Sequence, residues 1–231
     1  MPINRIVFLM LVKQIWTLLW KDIRIEWKSP QTFNALLLYI LNVVMICYLG
    51  FGLRVGQIGG LTWVVLFWIM ILFAATNAIT KSFLQESDKR NLYYYTLANP
   101  LAVLIAKLIY NAFILIVVGG VGLVFYVLML GNPILDMLLF SNVFVLGCIS
   151  IANTLTMISA IASKTQQSLG MTVVLGFPII IPTFLMLLKA SKNALDGLAW
   201  TTTQDELMTL LAINMIVIIV SLVLFPYLWR L

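Results

Sequence analysis

LIYNAFILIVVGGVGLVFYVLML, residues 108–130, runs for twenty-three positions without a charged side chain. A helix needs about 20 mostly apolar residues to cross the hydrocarbon of a bilayer, so this run is long enough to span. Its Leu, Ile and Val are continuous. A transmembrane barrel strand would be shorter and would alternate apolar with polar. Working outward, five further stretches meet the same requirement: residues 33–53, 61–79, 134–162, 169–188 and 210–228. The expected fold is all-α, a polytopic bundle of six transmembrane helices. Composition agrees, with 63% hydrophobic and 10% charged residues, against about 45–50% and 25% in soluble domains. Two cysteines, Cys47 and Cys148, lie inside spans without CxxC spacing and read as small core residues.

The basic residues set the orientation. With the N-terminus inside, the cytoplasmic side holds Arg5, Lys13, Lys21, Arg24, Lys28, Lys81, Lys89, Arg90, Lys107, Lys164 and Arg230. Only Arg54, Lys189 and Lys192 fall on the other side. Eleven of fourteen basic residues inside predicts that both termini are cytoplasmic, with Lys107 in a loop just before the third span. The net charge of +6 is then a membrane-orientation signal and not a nucleic-acid footprint.

Residues 1–32 do not read as a signal peptide, because the apolar run 6–12 is short and Lys13 interrupts it. Their pattern is that of an interfacial amphipathic helix. At about 100° per residue, Lys13, Thr17, Lys21, Arg24 and Lys28 form a polar stripe edged by Trp16, Trp20 and Trp27. Phe8, Val12, Ile15, Leu19 and Ile23 make the apolar face. Such a helix lies in the headgroup plane, and Pro30 ends it.

Every span but the fifth carries an amide, and the fourth carries two: Asn42, Asn77, Asn111, Asn142, Asn153 and Asn214. An unpaired amide in hydrocarbon costs several kcal/mol, so all six are expected to face other helices. Asn142, Ser150, Asn153 and Thr156 share one helical face, which suits either a polar pathway or interhelical contacts. Gly119, Gly120 and Gly122 would let a neighbouring backbone approach. Pro178 and Pro182 each remove a helix hydrogen bond, so a kink or a broken, re-entrant segment is expected there. No charged residue falls mid-span in this reading, which disfavours an ion-driven transporter. The absence of histidine excludes a Ser–His–Asp triad, His-ligated zinc and an axial histidine to haem. No GxxxxGK[ST] phosphate loop is present, so this chain has no P-loop of its own.

The remaining informative stretch is KSFLQESDKRNLYYYTLANP, residues 81–100. Ser82 and Gln85 resemble a capping box, the charges of Glu86, Asp88, Lys89 and Arg90 follow, and Tyr93 opens a run of three tyrosines. This predicts a short helix across the cytoplasmic face, serving either as a solvated connector or as a docking surface for a partner.

A basic amphipathic helix, six spans and an acidic first cytoplasmic loop together resemble the permease subunit of a type-2 ABC exporter. More specifically, FLQESDKRNLYYYTLANPLAVLIAK (83–107) and IASKTQQSLGMTVVLGFPIIIP (161–182) are similar to the corresponding stretches of the haem exporter protein B (CcmB) family. The likeness runs from about residue 11 to the C-terminus and rests on the order and spacing of degenerate motifs. It implies a single permease domain over residues 1–231, not itself an enzyme, in a bacterial inner membrane. It further implies a separate CcmA-like ATPase, CcmC-like and CcmD-like membrane partners, and release of a CcmE-like haem chaperone in cytochrome c maturation. Glu86, Asp88, Lys89, Arg90 and Tyr93 would then couple to the partner. By the same resemblance haem would be the species transported or handled, and no residue is singled out to bind it. A permease for a lipid-linked or polysaccharide substrate is the alternative within the architecture. A polytopic membrane enzyme is disfavoured by the lack of histidine and of mid-membrane acids.

The topology is checked by single-cysteine labelling in a background free of Cys47 and Cys148. Positions 57 and 196 should react with an impermeant maleimide from outside and position 88 only from inside; the reversed pattern would refute it.

Overall fold

The computed structural model describes residues 2–28, 30–51, 58–84, 99–162 and 168–229. These residues form seven helices: α1 (Pro2–Lys28), α2 (Gln31–Phe51), α3 (Gly60–Leu84), α4 (Pro100–Leu130), α5 (Met137–Ala162), α6 (Ser168–Leu195) and α7 (Trp200–Trp229). Six of them, α2 to α7, are long and apolar enough to cross a membrane. The polytopic helical bundle expected from the sequence is the architecture observed.

The helix ends explain where the observed boundaries depart from the hydropathy runs. α4 begins eight residues earlier than the apolar run beginning at Leu108, because Asn99 caps it and Pro100 occupies its first turn. The Asn99 side chain accepts from the amide of Leu101 at 3.0 Å, and proline at this position sacrifices no intrahelical bond. Lys107 is therefore not a loop residue. It sits about 10 Å along α4, at 1.5 Å rise per residue, and is only 6% exposed. Of the stretch 81–100, residues 81–84 complete α3 and 99–100 open α4, while the expected short surface helix falls on residues 85–98, outside the described residues.

α5 is the hub, in contact with α3, α4, α6 and α7. Hydrophobic burial cannot hold helices together in lipid, so association depends on close fit and polar contacts. Small residues on α5 supply the fit. Gly147 lies so close to Trp68 of α3 and Leu187 of α6 that a Cβ would collide with both side chains. Gly122 of α4 similarly receives Ile40 of α2, and Gly119 receives Ile71 and Phe144. These glycines accommodate neighbouring side chains and not, as the sequence suggested, a neighbouring backbone. Gly120 has nothing within 4 Å of its virtual Cβ and takes no part.

At the end of the bundle remote from α1's junction with α2, aromatic residues fasten α3, α4 and α5. Trp63 donates its indole N–H to the carbonyl of Gly131 at 3.1 Å, and Tyr126 donates its hydroxyl to the carbonyl of Trp63 at 3.0 Å. The rings of Trp63 and Tyr126 meet edge-on at 4.7 Å. Gly131, with φ +78°, ends α4 in a conformation few other residues adopt. α5 then starts with Asp136 capping Leu139 at 2.9 Å.

Two glycine substitutions separate fit from helix propensity. Gly147→Ala should destabilise by about 1–3 kcal/mol through overpacking, whereas Gly120→Ala should be neutral or stabilising by up to about 1 kcal/mol. Thermal melting of the detergent-solubilised chain by fluorescence-detected size exclusion checks both signs.

Candidate functional site

The amphipathic α1 does not lie apart from the bundle. Its inward face packs on α4, and two acidic residues, Asp22 and Glu26, one turn apart, stand on that face. Opposite them α4 offers Lys107 and Tyr110, also on one face. Asp22 lies 3.9 Å from Lys107 Nζ and 3.0 Å from Lys21 Nζ. Glu26 accepts the Tyr110 hydroxyl at 3.3 Å and the backbone N–H of Phe33 at 2.7 Å. Phe33 is in the first turn of α2, where amides lack intrahelical partners and carry the positive end of the helix dipole. One carboxylate thus joins three helices. A buried ammonium is tolerated only when paired and hydrogen-bonded, and Asp22 supplies an ionic partner for Lys107.

The three faces of α1 are now distinct. Asp22 and Glu26 dock on the bundle; Trp16, Trp20 and Trp27 are 69%, 58% and 87% exposed; and Lys13, Thr17, Arg24 and Lys28 are exposed along the basic edge. Lys21, read as part of that edge, turns partly inward to Asp22. Sequence reasoning weighed the bases and tryptophans and passed over the acids. The signal available was the pair Asp22/Glu26 at i,i+4 matched by Lys107/Tyr110 at i,i+3.

The polar stripe of α5 divides. Asn153 donates its amide to Asn214 Oδ1 of α7 at 2.9 Å. Asn111 of α4 donates to Thr156 Oγ1 at 2.9 Å, and Thr156 passes its own proton to the carbonyl of Ala152 at 2.6 Å. Both contacts are buried and join helices. Ser150 Oγ is buried without a hydrogen-bond partner among the described residues. Asn142, although on the same wheel face, is exposed and donates to its own helix at the carbonyl of Leu138. It lies in the second turn of α5, where no neighbouring helix covers that face. Asn42 and Asn77 are likewise exposed, Asn77 bonding back to Phe73. Three of the six amides therefore face other helices and three do not.

Both prolines of α6 lie on its exposed side, and the helix is continuous from Ser168 to Leu195 through Pro178 and Pro182. The break or re-entrant segment expected there is not observed. α6 is instead tied to α3 by the Trp68 indole, which donates to Ser191 Oγ at 2.8 Å. Glu86, Asp88, Lys89, Arg90 and Tyr93, the residues assigned to partner coupling, lie outside the described residues.

A double-mutant cycle on Asn153 and Asn214 measures what such a contact contributes. Each single change to Leu should destabilise, the double change should cost less than their sum, and the coupling should be about 0.6 kcal/mol and no more than about 1.7 kcal/mol. Additive losses in thermal melts would show that the bond does not join α5 to α7.

Comparison with curated proteins and with solved structures finds no match for the chain. A family model, described as CcmB protein, matches residues 13–228. That span takes in most of α1, all of α2 to α6 and almost all of α7. With six apolar helices and a family match over nearly its whole length, the chain belongs to the CcmB family, the multi-pass permease subunits of ABC transporters in haem transport and cytochrome c biogenesis.

Proposed function

We propose that this chain is the membrane part of an ATP-driven complex that exports haem or releases a haem-loaded chaperone during cytochrome c maturation. The observation that carries this reading is the family match across residues 13–228. A separate CcmA-like subunit hydrolyses ATP, CcmC-like and CcmD-like proteins complete the membrane assembly, and a CcmE-like chaperone receives the haem. The complex sits in the bacterial inner membrane with both termini of this chain in the cytoplasm.

The chain has no phosphate-binding loop, so energy enters through a surface that meets the ATPase. The stretch 85–98 is the leading candidate, because α3 ends on one side of it and α4 begins on the other. Tilting the stretch tilts both helices. The α1–α4 junction supports this lever, since Asp22 and Glu26 tie α1 to the same end of α4 that the stretch feeds. Motion of α4 then carries α1 and, through the Glu26–Phe33 bond, the start of α2.

Charge reversal tests the docking role. Glu86→Lys and Arg90→Glu should each weaken ATPase-subunit binding by about 1–3 kcal/mol where the contact is partly buried, and should leave membrane insertion unchanged. Affinity purification of each variant reads ATPase recovery, and cytochrome c yield reads function. Wild-type values of both in both variants would remove this stretch from coupling.

A further inference from the structure

The junction that ties α1 to α4 also borders an open groove of about 360 Å³, within the size range of small-ligand sites. Its floor is Phe113, Ile114 and Val117 of α4, and Trp27 and Phe33 flank it. Glu26 and Tyr110 stand at one end. From Tyr110 to Val117 the α4 surface runs about 10 Å, polar at the α1 end and apolar beyond. Phe113 is 54% exposed and Trp27 87%, so the groove opens sideways to the surroundings of the bundle, which for a membrane span are lipid. A polar head joined to a deepening apolar track is the outline of a phospholipid.

The headgroup chemistry follows from the charge. Among the described residues the ion pairs of this junction fall on Asp22, from Lys21 and Lys107, and Glu26 has no cation within 4 Å. Its two hydrogen bonds leave further acceptor positions on the carboxylate. A carboxylate at this depth calls for a cationic donor, and the neighbouring Trp27 ring favours a cation as well. A primary ammonium satisfies both. A quaternary ammonium has no N–H to donate, and a glycerol headgroup brings no positive charge to the carboxylate. We infer that the α1–α2–α4 groove binds phosphatidylethanolamine, its ammonium on Glu26 beside Trp27 and an acyl chain along Phe113 and Val117.

The test uses the full-length chain, delipidated in detergent and then offered equal amounts of phosphatidylethanolamine, phosphatidylcholine and phosphatidylglycerol with the same acyl chains. Native mass spectrometry counts the lipids retained. The wild type should hold phosphatidylethanolamine about tenfold over the other two, the gain of one charge-assisted hydrogen bond. Glu26→Gln keeps an acceptor for Phe33 N–H, removes the charge, and should bring phosphatidylethanolamine down to the phosphatidylcholine level. Val117→Trp leaves Glu26 intact, fills the apolar track, and should lower phosphatidylethanolamine retention at least fivefold with the melting temperature unchanged; it decides the matter if the Glu26 variant does not fold. Equal retention of the three lipids would overturn the assignment, as would a preference for phosphatidylglycerol, which would give selection to Arg24 and Lys28. A phosphatidylethanolamine preference that survives in Val117→Trp would overturn it too. So would a chain dimer that excludes lipid and is broken by Val117→Trp, since a second copy would then fill the groove.

Discussion

Helices in a bilayer gain nothing by hiding apolar side chains from one another, because the lipid is as apolar as they are. What remains to hold this bundle is fit between small and large side chains, together with polar groups that have no water to turn to. Both devices converge on α5. Gly147 lets Trp68 and Leu187 approach it, Asn153 reaches α7, and Thr156 receives Asn111 from α4. The same Trp68 that fits against Gly147 also hydrogen-bonds Ser191 of α6. One ring thereby joins three helices by shape on one side and by a donated proton on another.

α1 is fastened by a different chemistry, suited to the boundary of the membrane. There a charge is tolerable if it has a partner, and Asp22, Glu26, Lys107 and Tyr110 partner one another across two helices. Capping of α2 by Glu26 adds a geometric constraint, since the chain must turn at Pro30 to bring Phe33 N–H back within 2.7 Å of it. The amphipathic helix is thus a fixed part of the bundle, with aromatic and basic faces left for lipid and headgroups.

The six spans were legible because uninterrupted apolar length is a signal that little else produces. Their ends were less so. Hydropathy placed Lys107 outside a helix, although Asn99 and Pro100 together spelled a helix start seven residues earlier. The amides show a second limit. A helical wheel places Asn142 with Asn153 and Thr156, but angle alone does not say whether a neighbour exists at that height, and at Asn142 none does. Likewise the wheel of α1 displayed its bases and tryptophans, while the meaning of Asp22 and Glu26 depended on two residues more than eighty positions away. Family membership was legible through the order of degenerate motifs, and the match over residues 13–228 agrees with it.

The thirty-one residues of α4 make a rod of about 46 Å, against a hydrocarbon layer of about 30 Å. Upright, it would project far beyond the layer; at the average inclination of about 20° its vertical reach is still about 43 Å. Its uncharged run, residues 108–130, measures about 35 Å, near the thickness of the layer, so the first turns of α4, with Lys107, stand at the boundary where α1 lies. Because Lys107 and Tyr110 fasten α1 to this rod, a change in bilayer thickness that alters the inclination of α4 must also raise or lower α1 against the headgroups. The inclination of one long helix and the height of the interfacial one are thereby a single variable.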